Sequence, residues 1–172
     1  APPAAPFVSA EYAGYYTVPA DAFSEDFGGS DASFNIFSSS TQRARMHTET
    51  FAVRYRMRSS RPAGCYTATI TADDGVRLYV DGVLVINQWR DQAASTFSAP
   101  VYLNGSSDLV LEYYENGGEN TLDFGLVLNA LEVTTPVFNI GSASSRCIGG
   151  GSTTYTASSS NNTGLSYSLA GA

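Results

Sequence analysis

Lysine is absent from this 172-residue chain, and all nine of its basic residues are arginines. No Schiff base on a side-chain amine can form, and no phosphate loop can place its lysine. Histidine occurs once, at His47, which permits at most one catalytic triad. The two cysteines, Cys65 and Cys147, are too few with it for a zinc site built from histidine and cysteine alone, and they leave the redox compartment open. No apolar run approaches the roughly 20 residues a membrane helix needs, and no charged start followed by an apolar stretch marks a signal peptide. Charge is sparse at 15%, yet 43% of the residues are hydrophobic, so the chain has the means to bury a core. A net charge of -7 repels phosphate backbones and anionic lipid, which argues against nucleic acid and membrane insertion. These absences together point away from an enzyme.

The length allows one ordinary domain plus a fragment. The opening Ala1-Pro2-Pro3-Ala4-Ala5-Pro6 favours extended backbone and reads as the end of an interdomain linker over residues 1–6. From there to about Val133 the apolar residues recur with period two, and no window of a dozen residues shows helical spacing. The fold class is therefore all-β, an antiparallel sandwich or barrel. Phe51, Val53, Tyr55 and Met57 alternate with Ala52, Arg54, Arg56 and Arg58. The arginine face is either an anion site or, as the preferred reading, a solvated face paired with carboxylates such as Glu112. Arg77 to Ile86 reads as a hairpin turning at Asp81-Gly82, which places Val80 opposite Val83 and Leu78 opposite Val85. Strands follow at Tyr66 to Ile70, Phe97 to Leu103, Leu109 to Glu115 and Thr121 to Leu128. Asp21 to Thr48 is polar with scattered phenylalanines and reads as a long decorated loop with one helical turn.

The most informative segment is Thr71-Ala72-Asp73-Asp74-Gly75-Val76-Arg77-Leu78-Tyr79-Val80-Asp81-Gly82. Two carboxylates about 4 Å apart repel by about 4 kcal/mol at an effective dielectric near 20, and a hard cation relieves this. Neighbours in a regular strand point to opposite faces, so both side chains converge on one ion only through a turn or a cis peptide. Oxygen ligands on irregular backbone suit calcium better than zinc or magnesium. The plainer alternative has Asp73 capping a turn and Asp74 solvated.

Gly64-Cys65-Tyr66-Thr67-Ala68-Thr69-Ile70, the Asp73 to Gly82 run, Val85-Ile86, Trp89, and Glu112-Tyr113-Tyr114-Glu115-Asn116-Gly117-Gly118 resemble the anthrax protective-antigen (PA-14) domain family. The resemblance covers roughly Phe7 to Val133 and implies a β-sandwich found in surface adhesins, toxins and accessories of glycosidases. Its lectin branch, with the yeast flocculins and epithelial adhesins, implies that adjacent aspartates joined by a cis peptide bind calcium. A later asparagine and nearby carbonyls complete the ligands. Carried over, Asp73, Asp74 and Asn116 are the implied ligands, with Gly118 and Asn120 candidates for carbonyl ligation. Vicinal sugar hydroxyls would complete an open calcium shell. Gln88, Trp89 and Asp91 are further candidates for touching the sugar, although a lone tryptophan after a strand also suits hinge or core packing.

After Thr134-Thr135-Pro136 the composition turns to Ser, Thr, Gly and Asn. Ser145 to Ala157, followed by Gly164 to Leu169, resembles the first strands of immunoglobulin-like repeats of large bacterial surface proteins. This implies a truncated repeat over 134–172, an unpaired Cys147 and a free Cys65, with a bond between the two as the alternative. Glu112 and Glu115 lie three apart on a strand and face opposite sides, so they cannot flank a glycosidic bond. Gly149-Gly150-Gly151 lacks a phosphate loop's lysine, and His47 reads as a surface residue. The expectation is a calcium-dependent glycan-binding module over 7–133, monomeric within a longer extracellular or cell-surface protein. An accessory module of a secreted polysaccharide-degrading enzyme and a calcium-stabilised spacer are the alternatives.

Overall fold

A computed structural model describes residues 2–129, 137–139 and 156–158, and the chain divides into two compact units, Ala1–Asn129 and Ala130–Ala172. In the first unit, a 3-10 turn at Ser9–Glu11 precedes ten strands: β1 (Phe23–Glu25), β2 (Ser33–Ser38), β3 (Thr41–His47), β4 (Phe51–Arg58), β5 (Gly64–Asp73), β6 (Gly75–Val80), β7 (Val83–Gln88), β8 (Ser95–Leu103), β9 (Asp108–Glu115) and β10 (Thr121–Leu128). Two four-stranded antiparallel sheets result, in the orders β1-β10-β5-β8 and β4-β9-β6-β7. The all-β expectation is met.

Period-two alternation decides which face each strand buries. Along β5, Tyr66, Ala68, Ile70 and Ala72 are buried, while Thr69 and Thr71 turn outward to bond Ser98 and Thr96 on β8. Leu122, Phe124 and Leu126 of β10 meet Val76, Leu78 and Val80 of β6 and Leu109, Leu111 and Tyr113 of β9 in a single apolar cluster. Burying such side chains contributes about 1.5–3 kcal/mol each, which makes this cluster the main support of the sandwich. On the opposite face of the second sheet, Glu112 accepts from Arg54 and pairs with Arg77, and Arg58 pairs with Asp108. Arg54 and Arg58 of the arginine face are thus paired, as preferred from the sequence, while Arg56 is exposed with no ion pair among the described residues.

Two local expectations are corrected. Asp21 to Thr48 is not a loop: it holds β1 and the β2–β3 hairpin, where Phe34 pairs with Met46 and Asn35 with Arg45. The turn is Ser39-Ser40, both with positive φ (48° and 67°), a geometry usually signalled by asparagine or glycine. At the β6–β7 hairpin, Asp81 and Gly82 have φ of 49° and 80° and Val80 pairs with Val83, but a bulge shifts the register so that Leu78 faces Ile86 rather than Val85. Pro3 of the expected linker lies against the sandwich, its carbonyl accepting from the Trp89 indole (3.0 Å), and just after the linker the Arg54 guanidinium sits 4.1 Å from the Phe7 ring centre. Cys65 is a half-buried free thiol.

Asp21, just before β1, accepts from Arg61 Nε (2.7 Å) and Nη2 (2.9 Å), and Arg61 also donates to the Leu126 carbonyl. The Arg61 hydrogen bonds hold the Asp21 carboxyl below its usual value of 3.8. A carboxylate with a depressed folded pKa adds stability that is complete above the unfolded value and is lost as pH falls through the folded one. Arg61→Ala should therefore lower stability by about 1–2 kcal/mol at pH 7. The deficit should shrink below pH 4 as Asp21 protonates, which thermal unfolding across pH will read.

In the second unit, β11 (Val137–Asn139) pairs antiparallel with β12 (Thr156–Ser158). The expected strand over Leu165 to Leu169, Cys147 and the rest of the immunoglobulin-like pattern lie outside the described residues. Among the described residues no helix is long and apolar enough to cross a membrane.

Candidate functional site

The chain passes from one sheet to the other through a single residue: β5 ends at Asp73, β6 begins at Gly75, and Asp74 makes the crossing. The Asp73–Asp74 peptide bond is cis. Both carboxylates converge with that of Glu115, so that one oxygen from each lies within 4.8 Å of the others. Register brings Glu115 there. Gly75 pairs with Tyr114 on β9, so the next residue of β9 lies beside the last residue before β6.

Backbone and hydroxyl donors aim this cluster. Asp74 Oδ1 accepts from the Gln92 N–H (2.7 Å) and Oδ2 from the Asn116 N–H (3.0 Å), while Asp73 Oδ2 accepts from Ala94 (3.1 Å). Glu115 Oε1 accepts from the Gly117 N–H (2.6 Å) and Oε2 from the Tyr113 hydroxyl (3.1 Å). Gly117 and Gly118 have φ of 145° and 109°, so glycine lets the loop after β9 fold back over the carboxylates. Burial, and then the Asp74 charge, raise the Asp73 carboxyl above its usual value. Burial, with Asp74 adding to it, lifts Glu115 from 4.5 to about 7 against the opposing pull of the Gly117 N–H. Burial and the neighbouring Glu115 raise the Tyr113 hydroxyl, which stays a neutral donor. These are the signs of negative charges held together with no positive side chain among them.

The donor set fits a hard divalent cation. Calcium keeps oxygens at about 2.3–2.6 Å, so two ligands on opposite sides of one ion are about 5 Å apart, and the observed spacing falls inside one shell. All three groups are carboxylates, which excludes a preference for soft metals. The structure brings Asp73 and Asp74 together, and the backbone N–H of Asn116 reaches Asp74. Glu115 was missed as a member of the cluster, although the parity of β9 puts it on the face of Tyr113, opposite to Glu112.

The other candidates separate into two groups. Asp91 joins the rim, accepting from the Tyr114 hydroxyl (2.8 Å) and from Asn116 Nδ2 (3.3 Å), and the Tyr114 bond holds its carboxyl below the usual value. Gly118 donates its N–H to Glu49 (3.0 Å). The Asn120 side chain is turned away to bond the Phe27 N–H and the Gly29 carbonyl. Gln88 ends β7 opposite Val76. Trp89 packs instead of presenting a face: the Arg77 guanidinium lies 3.9 Å from its ring centre, Tyr114 meets it edge-on at 4.6 Å, and Phe7 stands at 6.5 Å. These contacts realise the packing alternative for Trp89.

The antiparallel β-sandwich thus carries, at the crossing between its sheets, an acidic cluster of a size to take one cation. The PA14 domain family matches residues 36–129, more than half of the chain, and the chain belongs to that family. A stretch of 71 residues is 39% identical to the anti-sigma-I factor RsgI3 of Acetivibrio thermocellus, covering 40% of this chain and 11% of that protein. Among solved structures, an anti-sigma factor domain-containing protein is similar with a TM-score of 0.49 and 27% identity, over 66% of this chain and 37% of the other. A PA14 sugar-binding domain from an RTX adhesin is similar with a TM-score of 0.48 and 21% identity, over 63% and 71%. The chain thus spans a minor part of the anti-sigma proteins that it matches.

Proposed function

We propose that the first unit is a non-catalytic, calcium-dependent carbohydrate-binding module of an extracellular protein. The observation that carries this reading is the convergence of Asp73, Asp74 and Glu115 within 4.8 Å beside the Asn116–Asp91 rim, in a chain of the PA14 family. Asp73, Asp74 and Glu115 would hold the ion, with Asn116 and the carbonyls of its loop as further oxygen donors. Bound calcium supplies a Lewis-acidic point at which vicinal hydroxyls can replace water, and such pairing selects among sugars by ring stereochemistry. The Asp91 carboxylate and the Asn116 amide, each already fixed by a partner, offer an acceptor and a donor for adjacent hydroxyls.

A glycan array probed with and without a chelator tests this. Binding of a defined set of glycans that is lost on chelation is the expected result. Calcium-dependent stabilisation with no glycan bound would reduce the unit to a spacer, and chelator-insensitive binding would move the sugar away from this site. The sequence likeness to an anti-sigma factor favours a second reading, in which the same unit is the ligand-sensing part of a regulatory protein.

A further inference from the structure

Strands β2 and β3 together contain no acidic residue, although the chain as a whole carries a net charge of -7. Strand β3 instead carries Arg43, Arg45 and His47, all exposed. Among the described residues the other arginines of the sandwich mostly have acidic partners: Arg54 and Arg77 have Glu112, Arg58 has Asp108, and Arg61 has Asp21. Arg43 and Arg45, like Arg56 and Arg90, have no acidic partner among the described residues, but only Arg43 and Arg45 stand together on one strand with a histidine. The hairpin that bears them pairs with neither four-stranded sheet. Its base adjoins the acidic cluster through a short relay: His47 Nδ1 accepts from the Glu49 N–H, Glu49 Oε2 accepts from the Gly118 N–H, and Gly117 donates to Glu115. The carboxylate of Glu49 is itself turned inward onto the Asp31 and Gly118 N–H groups.

We propose that β3 is a second contact surface for the same ligand, and that the ligand is a carboxylated polysaccharide, a chain containing uronic acid. This rests on the glycan-binding reading above and adds the ligand's charge to it. At about 3.3 Å per residue, the stretch from His47 to Arg43 extends about 13 Å from the hairpin base. That is long enough for consecutive uronate rings to lie along it while one ring is held at the ion. Guanidinium groups match carboxylates in charge and in fork geometry, and a neutral polymer would leave them with water alone. An unpaired basic strand on an acidic protein also draws an anionic chain to this edge rather than to the rest of the surface.

Calorimetric titration of the whole chain in calcium with tetragalacturonate and with its methyl ester tests the proposal, since esterification removes the carboxylate charges and leaves the sugar backbone the same. The acid should bind tighter than the ester, and rising salt should erase the difference. Arg43→Gln with Arg45→Gln should weaken the acid about three- to tenfold, the size expected of two exposed ion pairs, and leave the ester unchanged. The calcium-induced rise in Tm should persist in this variant, which shows that it is folded and that its ion site is intact. Equal affinity for acid and ester, an undiminished acid affinity in the variant, or no binding of the acid by the parent would each overturn the proposal. Loss of all binding on chelation, with the variant behaving like the parent, would uphold the ion-centred site and sink only the part assigned to β3.

Discussion

In calcium at a hundred times its dissociation constant, the parent protein should gain about 2.7 kcal/mol of stability, and Asp73→Ala with Asp74→Ala should gain none. For a unit of this size that gain is a rise in Tm of about 10 °C, readily seen by scanning calorimetry. The double alanine variant also strands the Gln92, Ala94 and Asn116 N–H groups that the carboxylates now satisfy, so its baseline in chelator will be lower. Asp73→Asn separates the two effects. It retains the side chain's shape and removes one of three crowded charges. Without calcium the asparagine variant should therefore be as stable as the parent or more so, and with calcium it should be less stable. A variant that loses stability equally in both conditions would mean that the cluster serves the fold and not an ion.

The second large effect is expected at Gly75. A methyl group there would stand 2.0 Å from Tyr114 Cε1, well inside contact distance. The Tyr114 ring cannot swing away cheaply, because it is fully buried, bonded to Asp91 and in contact with Trp89. Gly75→Ala should cost about 3 kcal/mol or more, since relief requires β6 and β9 to part where Gly75 pairs with Tyr114. It should also weaken calcium, because Asp74 and Glu115 flank that pair. Gly125→Ala is the matched control: no atom lies within 4 Å of the added carbon and no unusual φ is required, so Tm should change by little. Equal behaviour of the two variants would show that the close approach of Tyr114 to Gly75 is not what the fold depends on.

The sequence disclosed the sandwich because its signal is local. Alternation along Tyr66 to Ala72 and Leu122 to Leu126 names the buried face without knowledge of any partner. Asp73 and Asp74 were conspicuous for a similar reason: two neighbouring acids at a strand end are costly unless something shares their charge. Glu115 was not conspicuous, because its role depends on which residue of β6 faces Tyr114, and register is a property of two strands. The β2–β3 hairpin escaped for want of a glycine or asparagine at Ser39-Ser40, and the bulge beside Leu78 for want of any local mark. The packing around Trp89 was not legible because one of its partners, Pro3, lies 86 positions away. In each case the missing information was a long-range neighbour and not a residue type.

The single-residue passage at Asp74 has a mechanical meaning. A polymer tugging on anything gripped by Asp73, Asp74 and Glu115 would load β5 in one sheet and β6 and β9 in the other at the same moment. The pull is shared among ladders of antiparallel hydrogen bonds on both sides of the core. A tether fastened at that point can bear shear as a riveted joint does.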